Sequence, residues 1–190
     1  MLHLTVAQGL WLFLPAYAAN VLATLVGGGP PVDGGRLWRD GKRMLGDGKT
    51  WRGLLLAPVL AAVLTVGLRW LSPKLGLGLT DYGASPYYLL HAWAMGTGAL
   101  VGDIAKSFIK RRTGRDRGAM WLGPDQYDFV IGGLLFAFLA SLLTAPLAGS
   151  NWFLEAFTLG PLLVILILTP GLHLLVNLIG YKIGVKEVPW

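Results

Sequence analysis

The stretch Asp125-Gln126-Tyr127-Asp128-Phe129-Val130-Ile131-Gly132-Gly133-Leu134-Leu135-Phe136-Ala137-Phe138-Leu139-Ala140-Ser141-Leu142-Leu143-Thr144-Ala145-Pro146-Leu147 decides the fold class. Beyond Asp128 it holds no charged residue, and its apolar run, 127–147, has the roughly 20 residues a helix needs to cross the hydrocarbon core of a bilayer. It reads as a transmembrane helix with two carboxylates at its entrance.

Working outward, comparable apolar runs fall at 5–26, 53–71, 87–109 and 156–178. The chain is 54% hydrophobic and 14% charged, far below the one-quarter charge of a typical soluble domain. These features predict an all-α integral membrane protein, one transmembrane domain of about five transmembrane helices over residues 1–190 with polar loops on one side. Loops 27–52 and 110–126 are rich in Arg and Lys, whereas 72–86 holds only Lys74 and 148–155 no basic residue. The positive-inside rule then predicts a multi-pass protein of the cell membrane, with these two loops in the cytoplasm, the amino terminus outside and Lys182 and Lys186 inside. Ala16-Tyr17-Ala18 resembles a signal-peptide cleavage site, but no Lys or Arg precedes it and the apolar run continues through Val26, so this segment is expected to stay as a span. Cysteine is absent, which excludes disulfides, thiolate metal sites and cysteine nucleophiles. The net charge of +6 agrees with positive-inside topology and also suits anionic lipid or a polyphosphate. The eight Trp read as interfacial anchors and packing, and no nucleic acid partner is expected.

The acids gather with the basic residues. Asp33, Asp40, Asp47, Asp103, Asp116, Asp125 and Asp128 map to the predicted cytoplasmic side, and Asp81 and Glu155 to the other. Asp103 lies about two turns inside the third helix, where an ionisable group is costly and marks a site or a buried partner. Asp103, Lys106, Ser107 and Lys110 share one helical face, offering a carboxylate, two ammonium groups and a hydroxyl; the plain alternative is an ion pair within the helix with snorkelling lysines. Asp125 and Asp128 can reach one small volume and suit magnesium, or serve as acids at a helix amino terminus. Gly46-Asp47-Gly48-Lys49-Thr50-Trp51-Arg52-Gly53 resembles the end of a phosphate-binding loop, although the glycine required five residues before Gly48 is Arg43. Its glycines still permit close approach to phosphate, with Lys49 and Arg52 adding positive charge at the start of the second helix. His3, His91 and His173 are widely separated and are not expected to form a metal site.

With these residues in view, Gly102-Asp103-Ile104-Ala105-Lys106-Ser107-Phe108-Ile109-Lys110-Arg111-Arg112-Thr113-Gly114 and Asp125-Gln126-Tyr127-Asp128 resemble the signature of the membrane cytidylyltransferases that make CDP-activated lipids. Pro31-Val32-Asp33-Gly34-Gly35, Asp40-Gly41-Lys42-Arg43 and the Gly46–Gly53 run are similar to the short archaeal branch, the CDP-archaeol synthases. The resemblance covers the whole chain. It implies CMP transfer from CTP to 2,3-di-O-geranylgeranyl glycerol 1-phosphate with release of pyrophosphate and a need for Mg2+. It further implies metal ligands at Asp103, Asp125 and Asp128, and catalytic roles for these acids with Lys106 and Lys110. Substrate contacts are expected from Asp33, Lys49, Thr50, Arg52, Ser107 and Arg111. Trp121-Leu122-Gly123-Pro124 stands where the bacterial form has His-Gly-Gly, leaving cytosine recognition unassigned. Two rivals remain at this point. A CDP-alcohol phosphotransferase needs an ordered aspartate pattern that is not found here, and a small transporter needs polar residues through the depth of several helices.

Overall fold

A computed structural model describes residues 2–76, 78–115, 119–186 and 188–189. Five long helices and one short one follow in order: α1 (Leu2–Leu25), α2 (Trp51–Leu75), α3 (Tyr88–Arg112), α4 (Pro124–Ala148), α5 (Trp152–Ala156) and α6 (Leu159–Lys182). Among the described residues there is no β-strand, only two isolated bridges in the 27–50 loop. Four helices, α1, α2, α4 and α6, are long and apolar enough to cross a membrane. The α3 helix is as long, but its second half carries Asp103, Lys106, Lys110, Arg111 and Arg112, so the span predicted at 87–109 is the polar one. The short α5 covers the end of the loop predicted at 148–155 and the first residue of the span predicted at 156–178; it buries Trp152 and caps on Asn151, whose side chain accepts the Leu154 N–H.

The outer surface of the helices carries many large apolar side chains. Leu143, Ile167 and Val63 are 76%, 70% and 62% exposed, whereas the buried positions of α2 are mostly small, Ala57, Ala61 and Thr65 among them. That distribution suits lipid as the surrounding solvent, where helices associate through close packing of small residues. The α3/α4 pair packs most extensively, because glycines face each other across it. A methyl on Gly98 would strike the Gly132 carbonyl, and one on Gly102 the Asp128 carbonyl. The α1 helix is the central post, with Leu12, Phe13, Ala16 and Ala19 buried against Met95 and Ala99 of α3, Phe129 of α4 and Ile165 of α6. The α6 helix continues through Pro170, which membrane helices tolerate when neighbours satisfy the freed backbone.

At the end of the bundle away from the basic loops, polar groups close on one another. His91 is buried, bonded to the Tyr82 carbonyl (3.0 Å) and Thr144 Oγ1 (2.8 Å), and stacked on Trp152. Arg69 pairs with Asp81 at 2.9 Å. His91 is therefore a structural residue with both ring nitrogens satisfied.

Candidate active site

Asp33 organises the 27–50 loop. Its carboxylate accepts the backbone N–H groups of Gly35 (3.0 Å), Leu45 (3.0 Å) and Gly46 (3.2 Å), and both oxygens receive the Arg43 guanidinium. Burial by itself would raise this carboxyl; the Arg43 bonds and the three backbone donors outweigh it and hold it well below the usual carboxylate range. The loop is pinned to the end of α3, where Arg112 donates to the Arg43 carbonyl (2.6 Å) and pairs with Asp40 (3.0 Å), and Arg111 donates to the Leu45 carbonyl. Val32 N–H to the Lys49 carbonyl (2.7 Å) then fixes the approach to α2, whose amino-terminal cap is the Thr50 side chain accepting Gly53 N–H.

This scaffold sets Lys49 against Asp103, their side chains forming an ion pair between loop and α3. Asp103 also pairs with Lys106 at 3.2 Å. The Lys106 ammonium is the hub of the cluster, lying 3.1 Å from Asp125 Oδ1 and 2.9 Å from Asp128 Oδ2. The Asp128 contact is one of charge without a well-directed hydrogen bond, and that buried oxygen has no hydrogen-bond partner. Lys110 reaches Asp125 at 3.1 Å, and Asp125 also accepts the Trp121 N–H at 2.6 Å. At the start of α4, Gln126 accepts the Gly123 N–H, so Asp125 is free to combine a helix-end position with its two lysines.

These groups surround a cavity of about 420 Å³. Gly48, Lys49, Thr50 and Gly53 come from the loop and the start of α2, Asp103, Lys106 and Lys110 from α3, and Asp125 from α4. Thr50, Gly53 and Leu54 put the amino terminus of α2, the positive end of its dipole, in the wall of this space, a favourable place for phosphate. Asp128 is not in the wall; it lies behind Lys106, on the side of a separate apolar groove between α3 and α4.

The remaining predicted residues are placed less simply. Asp33, predicted as a substrate contact, is engaged with the loop, its side chain out of solvent and both oxygens bonded, and it is not part of the cavity wall. Arg52 is exposed on the first turn of α2, outside the cavity wall, and Ser107 is buried but not part of that wall. Arg111 braces Leu45 and Arg115 and borders a second, basic cleft with Lys42 and Arg43. The three predicted metal ligands do not close a cage: among the described residues no three His, Cys, Asp or Glu converge on a point, and the Lys106 ammonium sits between the carboxylates instead. Asp116 lies outside the described residues. The cavity also takes in residues that sequence reasoning passed over, Asn20 of α1, Asn177 of α6 and Lys186 beyond it. The available signal was a polar residue inside an apolar span, which is as costly for Asn20 and Asn177 as for Asp103 in kind, though less in degree.

A family model described as CarS-like: CDP-archaeol synthase matches residues 1–190. The CDP-archaeol synthase of Methanosphaerula palustris is 48% identical over 183 residues, covering 93% of this chain and 99% of the relative. That of Halorubrum lacusprofundi is 42% identical over 194 residues and covers the whole of both chains. A solved structure, described as structural insight into an intramembrane enzyme for archaeal membrane lipids biosynthesis, superposes with a TM-score of 0.63 at 33% identity, covering 90% of this chain and 94% of that one. The conserved length, the whole-chain match and the intramembrane neighbour agree with the charged cavity just described: the chain belongs to the CDP-archaeol synthase family.

Proposed function

We propose that this protein transfers CMP from CTP to the phosphate of 2,3-di-O-geranylgeranyl glycerol 1-phosphate, giving CDP-archaeol and pyrophosphate. Family membership supports the reaction. The observation that carries it to this site is one cavity walled by Lys49 and the α2 amino terminus on one side and by Lys106, Lys110, Asp103 and Asp125 on the other. Such a wall suits a triphosphate, which needs cations and N–H donors.

In the reaction a lipid phosphate oxygen attacks the α-phosphorus of CTP in line. The new P–O bond forms as the bond from the α-phosphorus to the bridging oxygen breaks, and the electron pair leaves with pyrophosphate. The nucleophile is already anionic near neutral pH, so no strong base is required. The barrier lies in bringing two anions together, and positioned positive charge lowers it. Lys49 and Lys110 neutralise phosphate oxygens, and Lys106 is held rigid by three acids so that its charge needs no reorganisation during the reaction. Lys49 exchanges its Asp103 partner for phosphate when the nucleotide arrives.

Magnesium fits the donors in part. Asp103 and Asp125 both open on the cavity, and an ion that completes its shell with water and substrate phosphates needs only one or two carboxylates. Asp103 and Asp125 would hold it, Asp128 balancing Lys106 from behind. When bound, it supplies neutralisation of the polyphosphate. The basic loops 27–52 and 110–126 support a site on the cytoplasmic side.

The test is CDP-lipid and pyrophosphate formation by the detergent-purified protein with lipid phosphate, comparing CTP with ATP over a magnesium titration. CTP-dependent, magnesium-dependent product is expected. No CDP-lipid from folded protein under any of these conditions overturns the proposal.

A further inference from the structure

Two apolar grooves flank the charged cavity. One, of about 430 Å³, runs between α1 and α6 along Leu10, Leu14, Val21, Leu172 and Val176. The other, of about 630 Å³, lies between α3 and α4 along Val101, Ile131 and Leu135. They differ in how they meet the charges. The α1/α6 groove shares Asn20, Thr24, His173, Asn177 and Lys186 with the charged cavity, so the two spaces join across a polar threshold. The α3/α4 groove shares only Lys106 with it.

Charge separates them further. At the end of the α3/α4 groove, Lys106 already carries three carboxylates, Asp128 among the groove's own walls, and a phosphate arriving there meets negative charge first. Lys186 has no ion pair among the described residues; its ammonium donates to the Asn177 Oδ1 amide oxygen, a neutral partner. Asn177 is buried, its side-chain nitrogen lies 3.3 Å from His173, and His173 stacks on Phe129 at 5.9 Å, so the holder is itself braced. Burial pulls Lys186 below its ordinary pKa, and an anion beside it would reverse that loss.

We infer that the isoprenoid chains of the lipid substrate lie in the α1/α6 groove and that Lys186, positioned by Asn177, binds the lipid phosphate at the threshold of the charged cavity. This deepens the proposed function and rests on it. The groove carries the chains past the threshold, Lys186 meets the headgroup before it reaches Lys106, and the CTP phosphates lie at Lys49. The tail after α6 thereby becomes part of the active site.

The test is steady-state kinetics in mixed micelles, varying the lipid's surface concentration and CTP separately, in the wild type, Lys186→Met, Lys186→Arg, Leu172→Trp and Ile131→Trp, each checked for monodisperse elution and thermal unfolding. Lys186→Met is expected to raise KM for the lipid phosphate by about tenfold to a hundredfold with KM for CTP within about twofold, the size expected when a charge-assisted contact is lost. Lys186→Arg should restore most of the loss. Leu172→Trp, which fills the α1/α6 groove, should raise the lipid KM, and Ile131→Trp, which fills the other, should not. An unchanged lipid KM in Lys186→Met, or a lipid KM raised by Ile131→Trp and not by Leu172→Trp, overturns the inference. A wild type that makes no CDP-lipid instead overturns the proposed function on which it rests.

Discussion

Lys106 is the residue on which the polar half of this protein turns, and the three acids around it are not equivalent. Asp125 is shared with Lys110 and opens on the cavity, while Asp128 is buried behind the ammonium. Asp125→Asn is therefore expected to abolish most turnover and to shift the magnesium concentration for half-maximal rate upward. Asp128→Asn should also lower turnover, through a loosened Lys106, with that magnesium midpoint little changed. Measured magnesium titrations of the two variants decide this, and equal shifts would place both acids at the metal. Asp33 belongs to the scaffold. Replacing it by Asn removes the charge that three N–H groups and Arg43 share, with an expected stability loss of about 1–3 kcal/mol. Because its folded pKa lies below the unfolded value, its contribution is complete above the ordinary carboxylate pKa of about 4 and fades as pH falls through the depressed folded value. Thermal unfolding from pH 8 down to about 3 should show a constant difference between wild type and Asp33→Asn above about pH 5 that shrinks only below about pH 4.

Helices α3 and α4 carry five charged residues of the cluster, Asp103, Lys106, Lys110, Asp125 and Asp128, and glycine is what lets them come together. Gly98 and Gly132 place backbone against backbone, and Gly102 brings α3 onto the Asp128 carbonyl one residue before Asp103. Gly102→Ala should force the helices apart and cost about 1–3 kcal/mol by overpacking, with loss of turnover because Asp103 and Asp128 no longer share Lys106. Gly67→Ala in α2 meets no neighbouring atom within 4 Å, and exchanging glycine for alanine in a helix interior is expected to be neutral or to stabilise by up to about 1 kcal/mol. Unfolding midpoints of the two variants in one detergent test the contrast. Destabilisation of similar size in both would show that the α3/α4 approach is not the constraint.

Across the whole molecule the charged cavity and the His91–Trp152 network lie at opposite ends of the bundle. We propose from the one-sided basic loops that the first end faces the cytoplasm. Because the chain has no cysteine, Arg39→Cys in the 27–50 loop and Ser150→Cys after α4 give clean labels at exposed positions, and both avoid the left-handed glycines Gly34 and Gly149, where a side chain is strained. In sealed vesicles the two should react from opposite sides with a membrane-impermeant maleimide. Labelling of both from one side would remove the topology and with it the cytoplasmic site.

Hydrophobic runs of membrane length, their punctuation by glycine and proline, and the one-sided basic loops determined the all-α membrane class and the family signature, because these depend on local composition and on spacing along single helices. The shared face of Asp103, Lys106 and Lys110 was legible for the same reason. Tertiary structure alone decided that Lys49 pairs with Asp103 across 54 residues of sequence, that Asp33 bonds to the loop around it, and that Asp128 stands behind Lys106. It alone decided that Asn20, Asn177 and Lys186 join the cavity. Each of these depends on how separate helices and a strandless loop pack against one another, and periodicity within one segment carries no information about which neighbour its polar face will meet.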